Sequence, residues 1–182
     1  IRLASSGIGK LFVSVQTEGL VPPESLKPTD REIKVRRRWL NSEGKVLRDW
    51  HGEKEGSLEV SVGDLVWVEV MLQTRQANLD NIAVVDALPG GFTVENPRLA
   101  TSAVRLSGGE VLAKAARADR TEFLDDRVVL FASAKPVPRV FRYAIRAVAG
   151  GEFLVPGIQA SCMYDETLSS LDQSDVVKVI VQ

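Results

Sequence analysis

The chain has 182 residues, 45% of them hydrophobic, and its 23 Lys and Arg against 24 Asp and Glu leave a formal net charge of -1. That length suits one large domain or one domain with a short attached segment, and the near-neutral balance argues against nucleic acid or an anionic membrane as partner. A single cysteine, Cys162, and a single histidine, His51, exclude an internal disulfide and multi-cysteine or histidine-cluster metal sites, and argue against a Ser-His-Asp triad.

No apolar run approaches the ~18 residues of a membrane helix. The chain opens at Ile1 without an initiator methionine or secretory signal, so it reads as a piece of a longer protein. Leu11, Val13 and Val15 alternate with Phe12, Ser14 and Gln16, which predicts a strand. Residues 19–28 then carry Pro22, Pro23 and Pro28. Proline fixes φ and removes a ladder donor, so this stretch is a linker or crossover. Residues 1–30 are expected to form a leading strand and Pro-rich linker, either the tail of a preceding domain or the first strand of this one, and residues 31–182 the main domain.

Alternation continues with Ile33, Val35, Arg37 and Trp39 on one face and Lys34, Arg36 and Arg38 on the other. Residues 41–44 turn the chain into a return strand over 45–50. Strands follow over 57–60 and 65–73, the second with Val66, Val68, Val70 and Leu72 inward and Trp67 on the opposite face. Residues 82–87 end at Leu88-Pro89-Gly90-Gly91, whose glycines permit positive φ. The single helix candidate is 107–120, where Val111, Leu112, Ala115 and Ala116 recur at helical spacing. Strands over 128–132, 139–148, 152–155, 158–162 and 175–181 complete the set, with 167–174 a polar loop. Roughly ten short strands at 8–12 residue spacing predict a mainly β fold, an antiparallel, immunoglobulin-like two-sheet sandwich with one short helix in a crossover.

Candidate sites divide between contact and chemistry. Asp125-Asp126-Arg127 could supply paired carboxylates, but neighbouring strand residues point to opposite faces, which favours a structural ion pair or turn cap. His51 reads as a surface turn residue and Cys162 as a buried thiol. Trp39, Trp50 and Trp67 read as packing residues rather than ligand-stacking ones. Arg36-Arg37-Arg38 reads as a solvated face near a sheet edge. Met163-Tyr164 at a strand end either closes the bottom of the core or forms an exposed apolar knob for contact, since Met adapts to irregular surfaces and Tyr supplies rigid area. No catalytic constellation, metal site or cofactor motif emerges.

The ordered set Gly63-Asp64-Leu65-Val66-Trp67-Val68, Val85-Asp86-Ala87-Leu88-Pro89-Gly90-Gly91-Phe92, Glu95-Asn96-Pro97, Asp125-Asp126-Arg127-Val128, residues 141–147, residues 151–156 and Met163-Tyr164-Asp165 resembles the C-terminal macroglobulin-like domain of bacterial alpha-2-macroglobulins. The resemblance runs from about Ile33 onward. It implies a non-catalytic β-sandwich at the end of a large periplasmic protease trap, tethered to the inner membrane by a lipoprotein N-terminus outside this sequence. Implied partners are neighbouring domains of the same chain, including a thioester-type domain or its degenerate equivalent, then target proteases through the parent, and peptidoglycan-associated periplasmic proteins. In the family the loop matching Met163 and Tyr164 shields the thioester or locks the native state. Cys162 is followed by Met-Tyr-Asp rather than x-Glu-Gln, so it does not match the thioester cysteine. Two readings compete with this one. The first is a cell-envelope interaction or adhesion module without trapping. The second is a glycosidase using Asp86 and Asp126.

Overall fold

A computed structural model describes residues 6, 8–10, 12–16, 18–19, 26–50, 58–75, 77–95 and 115–181. Strands account for the regular structure among them. In chain order they are β1 (Thr29–Arg31), β2 (Ile33–Leu40), β3 (Val46–Asp49), β4 (Leu58–Ser61) and β5 (Leu65–Thr74). Next come β6 (Leu79–Ala87), β7 (Phe92–Glu95), β8 (Arg120–Phe123), β9 (Arg127–Ala134) and β10 (Arg139–Ala147). The last four are β11 (Gly151–Val155), β12 (Gln159–Cys162), β13 (Asp165–Leu171) and β14 (Asp175–Ile180).

Two antiparallel sheets face each other across the core, one ordered β1-β13-β12-β6-β9-β8 and the other β3-β2-β5-β10-β7. The expected sandwich is present, with a third sheet added, β11-β14-β4, whose β14–β4 pairing is parallel. Alternation explains the layering. Ile33, Val35 and Trp39 of β2, Val66, Val68, Val70 and Leu72 of β5, and Ile82 and Val84 of β6 are all buried in one cluster. Val177 and Val179 of β14, with Leu58 and Val60 of β4, close that cluster from the side. Trp39 sits among Trp50 and Phe92, with ring centroids 5.5 and 5.2 Å away. Trp67 points to the other face of its sheet, as its register predicts, and is buried there with Leu40 and Ala144.

The chain changes sheets between β1 and β2 at Glu32, which takes φ 62°, a conformation uncommon outside glycine. Asp30 and Ser170 stitch this crossing. The Ser170 hydroxyl donates to Asp30 at 2.7 Å and accepts the Val35 amide at 3.0 Å.

Four elements differ from expectation. Residues 12–16 belong to no strand and are exposed; an alternating segment becomes a strand only beside a partner, and none of the described strands flanks it. The helix expected over 107–120 is not seen where the chain is described: 115–119 is irregular, and Arg120–Phe123 is β8, an edge strand of the six-stranded sheet. Residues 107–114, His51, Asn96 and Pro97 lie outside the described residues. The expected polar loop after Asp165 is instead β13, polar because Ser170 satisfies its neighbours from a buried position. Finally, the solvated reading of the arginine run fails for Arg37, which is 2% exposed.

Arg37 is the buried staple of the two facing sheets. Its Nη1 donates to Asp86 of β6 across the core, and its Nη2 donates to the Pro156 carbonyl at 2.6 Å. The guanidinium also lies 4.6 Å over Trp50. Tyr143 of β10 donates its hydroxyl to the other Asp86 oxygen at 2.6 Å. Burial, then the Asp86 charge, hold the Tyr143 phenol well above its usual range, so it stays a donor. The outer face of the five-stranded sheet carries a second cluster, with Arg38 and Arg142 both bonded to Glu69.

Candidate interaction site

Met163 and Tyr164 are the two residues of the turn joining β12 to β13. Both side chains stand outside the core rather than closing it: Met163 is 52% exposed and Tyr164 80% exposed. The backbone beneath them is tied down. The Met163 amide donates to the Asn81 carbonyl at 2.9 Å, fixing the tip to β6. Asn81 itself adopts φ 59°, a conformation asparagine tolerates better than most residues.

Two irregularities meet at this anchor. The β6–β9 register slips between Leu79 and Ile82, and the β12–β13 register slips so that Cys162 faces Asp165 while Ser161 faces Ser169. One step on β12 therefore spans four on β13. Bulges of this kind re-aim side chains at sheet rims. Asp165 fastens the slipped segment: the Thr167 amide donates to Asp165 Oδ1 at 3.0 Å and the Thr167 hydroxyl at 2.6 Å. Those two bonds hold the Asp165 carboxyl below its usual range, so it is ionised at neutral pH. Cys162 is half-buried under the turn, its Sγ 3.9 Å from the Asp80 carbonyl. The result is a rigid pedestal under two exposed side chains. Pre-ordering of this kind lowers the entropy lost when such a tip is covered by a partner.

Sequence reasoning found the tip but not its anchors. Asp165-x-Thr167 is an Asx-type signal, and Asp80-Asn81 ahead of an apolar run marks a left-handed kink. Both were available to a reading of turn chemistry.

Asp125, Asp126 and Arg127 lie at the β8–β9 turn, away from the tip. Arg127 donates to both Asp126 oxygens, at 3.0 and 2.5 Å. Hydrogen bonding from Arg127 lowers the Asp126 carboxyl and raises the guanidinium. The Leu88 amide bonds the Asp126 carbonyl at 2.8 Å. Asp86 is buried and occupied by Arg37 and Tyr143, whereas Asp126 is exposed and occupied by Arg127. The two carboxylates thus sit in unrelated environments, one sealed and one solvated, with no shared cleft for acid–base work. No group of three or more metal-ligating side chains converges among the described residues.

A family model described as the bacterial alpha-2-macroglobulin MG10 domain matches residues 33–166. The alpha-2-macroglobulin of Escherichia coli (strain K12) is 31% identical over 176 residues, which is 90% of this chain and 10% of that protein. That of Pasteurella multocida (strain Pm70) is 26% identical over 143 residues, 79% of this chain and 7% of that protein. The chain therefore spans a tenth or less of these relatives. A solved structure of Escherichia coli alpha-2-macroglobulin activated by porcine elastase superposes with TM-score 0.72 at 26% identity, covering 84% of this chain and 13% of that one.

Proposed function

The chain belongs to the bacterial alpha-2-macroglobulin family, and on that premise we propose that it is a non-catalytic end domain of a periplasmic protease trap. In this reading the domain works by contact. Met163 and Tyr164 press into a neighbouring domain of the same parent and hold its native state until a protease cuts the parent. Residues 1–28 then form the tail of the preceding domain and the linker from it, and the sandwich follows from β1 onward.

The observation that carries this reading is the tip itself: two large side chains with 52% and 80% exposure on a backbone anchored through Asn81 and Asp165. Two large side chains on a backbone that is already fixed lose little entropy when a partner covers them. The relative solved in an elastase-activated form supports a protease as the trigger. Both carboxylates considered for catalysis are engaged by arginines, which supports a role without chemistry. If the neighbour holds a reactive acyl bond, an apolar cover excludes water from it.

The test is a trapping assay on the full-length parent, wild type and Tyr164→Ala. A broad-specificity protease is added, and cleavage of a large protein substrate and of a small chromogenic peptide is followed in parallel. Trapping predicts loss of large-substrate cleavage with peptide cleavage retained. The locking role predicts that Tyr164→Ala converts to the activated form faster, about tenfold or more, because burying a tyrosine contributes on the order of 2 kcal/mol. Equal inhibition of both substrates refutes trapping, and an unchanged conversion rate refutes the lock.

A further inference from the structure

The third sheet has a face that carries exposed apolar side chains and that no described strand covers. Along β14, Val177 and Val179 point into the core, while Val176, Lys178 and Ile180 point out. Leu154 of β11 stands directly opposite Val176. These two are 42% and 44% exposed, Ile180 is 39% exposed and the following Val181 is 71% exposed. Between the apolar rows, Lys178 faces Glu152 on one side and Glu59 on the other, the latter at 3.4 Å. A sheet with one face in water normally alternates apolar-in and polar-out. Here β14 reads Asp-Val-Val-Lys-Val-Ile, apolar toward both sides, which is the pattern of a strand covered on both faces.

The path of the incoming chain indicates what covers it. Leu26, 44% exposed, and Pro28 line a cleft of about 490 Å³ together with Leu154, Asp175 and Val176. The chain thus enters the domain along the rim of this apolar face. Upstream, residues 19–28 span at most about 35 Å even when fully extended. On the far side of that short tether lie Phe12, Val13 and Val15, exposed by 90%, 51% and 54%, in a stretch whose described residues belong to no strand. Two uncovered apolar surfaces are therefore joined by a short, proline-bearing connection. A tether of that length holds its two ends at effective concentrations in the millimolar range, so a modest interface suffices.

We propose that the outer face of the β11-β14-β4 sheet is the docking surface for the part of the parent that immediately precedes residue 19. Leu154, Val176 and Ile180 form the apolar contact, and Lys178 between Glu152 and Glu59 forms the polar row that sets its register. This surface is separate from the hairpin tip. The tip is a switchable contact, whereas this face fixes the domain relative to its own linker. The proposal takes from the preceding section only that the chain is part of a larger parent.

The test uses thiol labelling in the purified native parent carrying Val176→Cys, with Leu154→Cys as a second variant. Labelling is read by mass spectrometry on the peptide that holds the substituted position, and each rate is divided by its rate in the urea-unfolded parent. Exposure of 44% within the domain alone predicts slowing of about twofold, whereas a docked neighbour predicts slowing of about tenfold or more, because labelling then waits for local opening. A photo-cross-linker attached at the new thiol is expected to capture peptides N-terminal to residue 19.

Slowing of only about twofold at both positions overturns the proposal. So does protection that scales with protein concentration, which assigns the face to a second copy, or capture of peptides from elsewhere in the parent. Neither readout depends on trapping. A failed lock at Tyr164 with a protected Val176→Cys would therefore leave this inference standing, and the converse would remove it alone.

Discussion

The Arg37–Asp86 pair offers the sharpest test of how the sheets are held. Both side chains are about 2% exposed, and each has further partners: Asp86 accepts from Tyr143, and Arg37 donates to Pro156 and lies over Trp50. Removing one member leaves the other charged and buried, which costs about 3–5 kcal/mol. Arg37→Met and Asp86→Leu are each expected to lose that much at pH 7, measured by equilibrium urea unfolding. The triple variant with Tyr143→Phe removes the stranded groups together and is expected to lie within about 2 kcal/mol of wild type, since an apolar replacement of a buried pair is often neutral. Single losses below about 1 kcal/mol, or losses that simply add in the combined variant, refute the staple.

Two further predictions follow from close contacts elsewhere. Asp172 is 4% exposed, and its Oδ2 lacks a hydrogen-bond partner among the described residues. Burial pushes its carboxyl up, despite the Gln173 amide and the Arg36 and Arg37 charges pulling it down. Its folded pKa therefore lies above the unfolded one, and stability rises as pH falls through that window. Asp172→Asn is expected to raise the urea midpoint at pH 7, by about 1 kcal/mol in stability, with the gain shrinking toward pH 4; a constant gain would contradict the titration. Gly157 lies where a Cβ would sit 2.2 Å from the Asp172 backbone oxygen. Because backbone cannot swing aside as a side chain does, Gly157→Ala is expected to cost about 2 kcal/mol or more, read as a lowered thermal midpoint.

Local alternation located strands whose partners it could not name. The faces of β2 and β5 were legible because their core-facing apolar residues recur every second position, and Trp67 fell opposite Val66 and Val68 as that period requires, although it is buried on its own face as well. The same period put Arg37 among Ile33, Val35 and Trp39, facing inward. A solvated reading prevailed because arginines mostly lie in water, and the group that permits burial, Asp86, is 49 residues away on another sheet. Long-range pairing of charges leaves no local signal. β13 was missed for a related reason: its buried Ser170 is satisfied by Asp30, 140 residues away, so its polarity reads as loop.

The hairpin tip shows the opposite balance. Its exposure was undecidable from Met163-Tyr164 alone, because the same two residues at a strand end can cap a core or stand clear of it. What decides between these is how β12 pairs with β13 and how β6 pairs with β9, and both of those registers slip within a few residues of the turn or its anchor at Asn81. Bulges are written in turn chemistry, here Asn81 and Asp165-x-Thr167, rather than in hydrophobic pattern. The fold could therefore be read from periodicity, while the site depends on the places where periodicity breaks. The uncovered outer face of β14 follows the same logic from the other side. There the pattern holds without a break, and the missing element is the neighbour whose presence that pattern implies.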